Sequence, residues 1–184
     1  MKPAPSIVLF TVTSGAGCGL LFWLGLLRPF GWLPGGPSLG AAIALFGLAL
    51  TVVGLLSSLG HLGQPGRAWR ALSQWRSSWL SREGVAAVAT LLPGALYAVA
   101  MLAGLYRAAA VLGVLMAIGA AATVVCTGMI YPSLKPIREW RHPLVLPGYL
   151  VIAAFLGAVL LVPLTGAGRV PLGLAVAFGI AGLL

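Results

Sequence analysis

The chain has 184 residues, of which 60% are hydrophobic and only 7% are Asp, Glu, Lys or Arg. Soluble domains carry about 25% charged residues, so this composition excludes an ordinary soluble protein and indicates an integral membrane protein. The formal net charge of +9 does not indicate nucleic-acid binding, because the basic residues lie in short loops between apolar runs.

Five apolar runs are long enough to cross a bilayer, which takes about 20 residues of helix. A sixth run begins near Val170 and reaches the end of the chain at Leu184 without a polar flank, so we expect a truncated sixth span. The predicted fold is an all-α, polytopic transmembrane helical bundle, with residues 1–184 forming a single domain. The five predicted full spans are about 6–27, 39–60, 84–105, 108–131 and 145–165.

Small residues in the first predicted helix indicate close helix packing. Gly15 and Gly19 are four positions apart and therefore lie on one helical face, where another backbone can approach closely. The third and fourth helices are joined tightly around Tyr106 and Arg107, which predicts an antiparallel hairpin.

The longest polar stretch is 61–83, HLGQPGRAWRALSQWRSSWLSRE, between the second and third spans. It holds one of the two acidic residues and one of the two His of the chain. Apolar and basic residues alternate from Arg67 to about Leu80, which predicts a short amphipathic helix in the membrane interface. Ser81 is predicted to cap the third helix, with Glu83 in its first turn.

A second polar loop, 132–144, follows the fourth span on the same predicted side of the membrane. The two loops and the N-terminus hold eight Lys and Arg, whereas the opposite side holds three. The positive-inside rule therefore predicts that the N-terminus and both loops are cytoplasmic. The same basic side would suit docking of an acidic soluble partner, through Arg70, Arg76, Arg82, Lys135, Arg138 and Arg141.

The residue types exclude several kinds of membrane chemistry. Heme ligation inside a bundle normally needs His on facing helices, but His61 and His142 are the only two and both lie in loops. Cys18 and Cys126 are isolated within spans and lack metal-ligand spacing. The chain has no Asp and no Glu in the middle of a span, which argues against a proton-coupled carrier.

What remains is a site at the membrane interface, formed by His61 at the end of the second span and Glu83 at the start of the third. A quinone needs an apolar cleft and hydrogen-bond partners for its carbonyls, and a His can exchange the proton that accompanies electron transfer. Two simpler interpretations remain open. His61 would then only bond a loop carbonyl, and Glu83 would only be a favourable charge near a helix N-terminus.

Two segments resemble the membrane anchor subunits of the dimethyl sulfoxide reductase family. They are HLGQPGRAWRAL followed by LSRE, and GMIYPSLKPIREW after the fourth span. This resemblance implies a heme-free, eight-helix protein that binds quinone near the membrane surface. It also implies a four-cluster iron–sulfur partner and a molybdopterin catalytic subunit, which hold the metal cofactors. Carried over by motif, His61 and Glu83 belong to the quinone site, Arg67 lines it or contacts the iron–sulfur partner, and Gln64 occupies a variable position of the motif.

The predicted cytoplasmic position of the motif-bearing loops looks most like the membrane subunit of a cytoplasm-facing sulfite dehydrogenase. We therefore expect a subunit of the bacterial inner membrane that is not itself catalytic for the substrate but passes electrons from sulfite to ubiquinone or menaquinone. The alternatives are an anchor of a dimethyl sulfoxide reductase-type complex that oxidises quinol, a purely structural anchor, and a small transporter.

Overall fold

The computed structural model describes residues 5–58, 72–134, 137, 139–166 and 173. Within these residues there are five helices long and apolar enough to cross a membrane, and no β-strand. The prediction of a polytopic all-α membrane protein is confirmed, and each predicted span matches one helix. The helices are α1 (Pro5–Leu27), α2 (Pro37–Ser58), α3 (Trp79–Leu102), α4 (Tyr106–Ser133) and α5 (Val145–Thr165).

Helix α1 lies at the centre of the described bundle and packs against α2, α4 and α5. Of the predicted pair, Gly19 makes a close contact, whereas a Cβ added to Gly15 would lie at an ordinary 4.0 Å from the Cβ of Ala153. A Cβ added to Gly19 would overlap the carbonyl oxygen of Ala153 in α5, and one added to Gly17 would overlap Thr51 in α2. Because helix association in a bilayer depends on such close packing, these glycines set how α1 sits against its neighbours.

Helices α3 and α4 form the predicted antiparallel hairpin. Gly104, with φ of +73°, makes the turn between them, and the Leu105 amide donates to the carbonyl of Ala100 at 2.9 Å. Within the hairpin, the hydroxyls of Thr90 and Thr123 are hydrogen-bonded across the two helices at 3.1 Å. This polar contact helps to hold the register of α3 against α4.

Helix α3 starts earlier than predicted, which changes the interpretation of the first polar loop. The helix begins at Trp79, so Ser81 lies inside it and is buried rather than capping its N-terminus. Glu83 accordingly lies in the second turn of α3 and not in the first. The prediction of a polar loop reaching residue 83 is wrong because residues 79–83 are ordered as helix by their contacts with α4.

The predicted amphipathic helix from Arg67 to Leu80 is not formed over its described part. Residues 72–74 have 3-10 conformation and 75–77 form a turn before α3 begins. The guanidinium of Arg82 closes this turn by donating to the carbonyls of Trp75 and Arg76, at 3.0 and 2.8 Å. The first part of that predicted helix, 67–71, lies outside the described residues.

The second polar loop is also shorter than predicted. Helix α4 continues through Pro132 to Ser133, and a short 3-10 helix, Glu139–Arg141, precedes α5. The predicted sixth span falls on residues outside those described, apart from Gly173.

Candidate functional site

Glu83 is the buried acidic residue of the described chain, with only 3% of its surface exposed. It lies on α3 where that helix packs against the end of α4, and Oε1 of its carboxyl is hydrogen-bonded to the hydroxyl of Thr127. A charged group inside a membrane protein is costly unless it is paired or solvated. This hydroxyl is therefore part of what makes the position acceptable for a carboxyl group.

The hydroxyl of Thr127 also lies 3.0 Å from the carbonyl oxygen of Thr123. One hydroxyl carries one hydrogen, so it donates either to Glu83 or to that carbonyl. A protonated Glu83 donating to Thr127, which then donates to Thr123, satisfies all three groups. An ionised Glu83 accepts the Thr127 hydrogen instead. The arrangement can therefore hold or release one proton without losing the contact between Glu83 and Thr127.

A cavity of about 410 Å³ lies next to this pair, between the first half of α1, the last turns of α4 and the first half of α5. Thr127, the hydrogen-bond partner of Glu83, lines it, so the Glu83 carboxyl lies one residue away from the cavity. Such a volume is within the range of small-molecule sites, which are about 300–1,000 Å³. The polar and aromatic side chains of the lining are Thr11, Ser14, Thr123, Thr127, Tyr131, Trp140 and Tyr149.

Three aromatic rings form the wall of this cavity at the end of the bundle. Tyr131 packs edge-on against Trp140, with ring centroids 5.1 Å apart, and lies beside Tyr149 at 5.2 Å. The hydroxyl of Tyr149 faces Tyr131 and Thr11. Rings give a flat apolar surface and hydroxyls give hydrogen bonds, which is a suitable combination for a planar molecule that carries carbonyl groups.

Most of the site residues predicted from the sequence lie outside the described part of the chain. The predicted quinone-site residues among them follow α2, whose last described residue, Ser58, lies three positions before His61. That end of α2 adjoins the start of α1, because the Ser57 hydroxyl lies 3.4 Å from the carbonyl oxygen of Ser6. It is therefore the same end of the bundle as the Glu83 cavity. The predicted residues that are not described are His61, Gln64, Arg67, Arg70, Lys135 and Arg138.

The described basic residues of the predicted docking surface differ in their contacts. Arg76 is exposed, with its guanidinium 5.4 Å from the centre of the Trp75 ring. Arg82 lies over the Trp79 ring at 4.3 Å and bonds the loop carbonyls described above. Arg141 is exposed at the end of the 3-10 helix before α5. Arg82 therefore has a local structural role in addition to any contribution to surface charge.

The cavity residues Thr127, Tyr131 and Tyr149 were not predicted as site residues. Thr127 and Tyr131 are four positions apart on α4 and so lie on one face, which is a signal available from the sequence. Tyr131 and Trp140 also belong to the GMIYPSLKPIREW segment that supported the family resemblance. No sequence spacing relates Tyr149 in α5 to Glu83 in α3.

Comparison with known proteins identifies the family. Residues 1–180 match the family of DMSO reductase anchor subunits (DmsC). The chain belongs to this family. The resemblance inferred from the two motifs is therefore confirmed.

This anchor-family chain is also similar to a sulfite dehydrogenase subunit of Allochromatium vinosum, with 35% identity over 176 residues. The alignment covers 87% of the chain and 54% of the relative, so the chain spans about half the length of the curated protein that it matches. No solved structure matches the chain. The expected likeness to a sulfite dehydrogenase membrane subunit is confirmed.

The described residues contain no group of three or more His, Cys, Asp or Glu placed to hold a metal ion. The hydroxyl and aromatic lining of the cavity instead suits an uncharged organic molecule. The geometry thus offers a proton-carrying group, hydrogen-bond donors and an apolar wall at one end of the bundle.

Proposed function

We propose that this protein is the heme-free, quinone-reactive membrane anchor of a molybdopterin and iron–sulfur oxidoreductase complex. The observation that carries the proposal is the buried Glu83, hydrogen-bonded to a lining residue of an aromatic-lined cavity at the end of the bundle where α2 and α3 are joined. Membership of the anchor family supports the same conclusion. In this proposal the chain does not act on the substrate of the complex but exchanges electrons and protons with quinone.

The reaction that we propose for the complex is oxidation of sulfite by quinone. Sulfite and water give sulfate, two electrons and two protons in the catalytic subunit. The electrons pass through the iron–sulfur subunit, and reduction of ubiquinone or menaquinone to quinol takes up two electrons and two protons beside this chain. The sulfite dehydrogenase identity of the Allochromatium vinosum relative supports sulfite as the substrate.

The proposed roles of the site residues follow from their chemistry. His61 donates a hydrogen bond and a proton to one quinone carbonyl, and Glu83 replaces protons through Thr127. Arg67 and Gln64 line the same end and provide further hydrogen-bond donors.

The proposed partners are a four-cluster iron–sulfur subunit and a molybdopterin catalytic subunit. The basic residues Arg70, Arg76, Arg82, Lys135, Arg138 and Arg141 lie near the site in sequence, and Arg pairs bidentately with carboxylates. Docking at this end would bring the nearest iron–sulfur cluster close to the quinone. The eight-to-three distribution of Lys and Arg supports a location in the bacterial inner membrane with this end in the cytoplasm.

The test is sulfite-dependent reduction of a quinone analogue by the complex purified in mild detergent, comparing wild type with His61→Ala. We expect the variant to retain its iron–sulfur partner and lose at least about a hundredfold in turnover, the usual contribution of general acid–base catalysis. His142→Ala is the matched control, because this second His is exposed and its ring accepts a hydrogen bond from the Leu144 amide of its own turn.

Three results would count against the proposal in different ways. Equal activity of His61→Ala and wild type would remove His61 from the site. Quinol oxidation by dimethyl sulfoxide without sulfite activity would retain the site and change the substrate. Absence of any redox partner from the purified protein would leave a purely structural anchor or a transporter.

A further inference from the structure

A second cavity of about 410 Å³ adjoins the one beside Glu83 and differs from it in chemistry. Cys18, Val124 and Ala153 line both cavities, so the two meet at these residues. Among the described residues, the lining of the second cavity includes no hydroxyl, amide or charged side chain. Its remaining lining residues are Gly19, Phe22, Ala120, Ala121, Pro147, Leu150, Val151 and Ala154.

The apolar cavity lies deeper than the polar one along α1 and α4, whereas on α5 the two linings overlap, at residues 145–153 and 147–154. On α1 the lining passes from Thr11 in the polar cavity to Phe22 in the apolar one. On α4 it runs in the opposite direction, from Tyr131 to Ala120, which is roughly 16 Å along a helix at 1.5 Å per residue. Since α1 and α4 are antiparallel, both progressions lead from the end of the bundle toward the middle of the membrane.

We propose that the two cavities together bind one quinone, with its ring among the hydroxyls of Tyr131, Tyr149 and Thr127 and its prenyl tail in the apolar cavity between α1, α4 and α5. This inference rests on the proposed function, because it assigns positions to the ring and tail of the same substrate. The occupant must be polar at one end and apolar for the rest of its length, which matches a prenylated quinone. The tail then enters from the membrane between helices and the ring stops beside Thr127, the hydrogen-bond partner of Glu83.

The first test uses the purified complex and compares the KM for a quinone with a ten-carbon tail with that for the same quinone without a tail. Ala121 is half-buried in the wall of the apolar cavity, so Ala121→Phe fills the space assigned to the tail. We expect the KM for the tailed quinone, divided by the KM for the tailless one, to rise roughly tenfold or more. Lost apolar contacts in a pocket have effects of this size. Ala122→Phe is the matched control, since its side chain is adjacent on α4 but exposed outside the cavity.

A second variant tests the assignment of the ring. Tyr149→Phe removes one hydroxyl from the polar cavity and should raise both KM values by a similar factor, roughly threefold to tenfold, as expected for one hydrogen bond. A KM ratio unchanged by Ala121→Phe, or raised equally by Ala122→Phe, would overturn the tail assignment while the proposed quinone reaction stands. Failure of the wild-type complex to reduce either quinone would overturn the proposed function and this inference with it.

A labelling experiment on the unmodified protein gives a result that does not depend on folding of a variant. A quinone with an aryl azide at the end of its tail is bound to the wild-type complex, irradiated, and the labelled peptide is identified. Label on the α1, α4 or α5 residues of the apolar cavity supports the inference. Label confined to α2 or α3 overturns it.

Discussion

At the scale of single residues, the decisive feature is a carboxyl group placed inside a membrane helix. Glu83 is buried in the second turn of α3, and the Thr127 hydroxyl of α4 is its hydrogen-bond partner. A carboxyl at such a position is normally retained only for function, because removing it from water is costly. Its proximity to the polar cavity is what favours proton transfer over a purely structural role.

We predict that Glu83→Gln leaves the complex assembled and lowers sulfite-dependent quinone reduction by about 10²–10⁴-fold, the range for loss of a general acid–base group. The amide keeps the volume of the carboxyl and still hydrogen-bonds Thr127, but it cannot carry the proton. Glu139→Gln is the matched control, because Glu139 is the other acidic residue of the chain and is exposed. Steady-state turnover of both purified variants checks the prediction, and an equal effect of the two would contradict it.

The hydroxyl of Thr127 can be tested separately from the carboxyl. Thr127→Val keeps the shape of the side chain but leaves the Glu83 carboxyl without this hydrogen bond. We expect the free energy of unfolding in detergent to fall by about 1–3 kcal/mol, the cost of an unsatisfied buried polar group. In a Glu83→Leu background, which has no carboxyl group to satisfy, Thr127→Val should cost less, and an equal cost in both backgrounds would show that the two groups do not interact.

At the scale of helices, glycines decide how closely the elements approach. The α1–α5 contact is made where Gly19 meets the backbone of Ala153 and Gly157. A bilayer supplies no hydrophobic driving force between helices, so such contacts depend on van der Waals packing of small residues. The same crossing lies beside both cavities, because Ala153 lines both of them and Gly19 lines the apolar one.

We expect Gly19→Ala to lower the free energy of unfolding by about 1–3 kcal/mol, since overpacking a close contact has effects of this size. The added methyl group would have to push α5 away from α1. Gly148→Ala, a helical glycine of α5 with open space around its Cβ position, is the control and should be neutral or slightly stabilising. Denaturant titration in mild detergent measures both, and equal stability of the two variants would argue against a close α1–α5 contact in the protein.

At the scale of the whole molecule, most of the basic residues and the candidate site lie at the same end of the bundle. Glu83, the aromatic wall and the joined ends of α2 and α3 lie together, and by sequence this side holds eight of the eleven Lys and Arg. The opposite end includes Arg28, whose guanidinium donates to the carbonyls of Gly35 and Gly36 at 2.7 and 3.0 Å. The positive-inside rule then favours a cytoplasmic site.

This orientation predicts the labelling of two introduced cysteines by a membrane-impermeant maleimide. Ser38→Cys, exposed at the Arg28 end, should react in intact cells, whereas Ser77→Cys, exposed at the Glu83 end, should react only after the membrane is permeabilised. The unmodified protein is the control, because Cys18 and Cys126 lie within α1 and α4. The reverse pattern would place the site on the periplasmic side and oppose the proposed assembly.

The sequence by itself was sufficient for the fold class and the five spans, because a bilayer requires long apolar helices and these are visible as composition. It was least accurate where α3 begins. Trp79 to Glu83 include polar and charged residues, so hydropathy assigned them to a loop. In the structure these residues are helical, Ser81 and Glu83 are buried, and Glu83 contacts Thr127 of α4.

Within the site, the sequence offered Glu83 as a candidate, and the motif resemblance, not its position alone, assigned it to a quinone site. Only the tertiary structure brought together Thr127, Tyr131 and Tyr149 with it, and only the structure revealed the two adjoining cavities. These side chains come from different helices, whose relative positions depend on the close glycine contacts of α1 and on the α3–α4 hairpin. Periodicity describes the faces of one helix at a time, whereas a cavity exists only once several helices have packed.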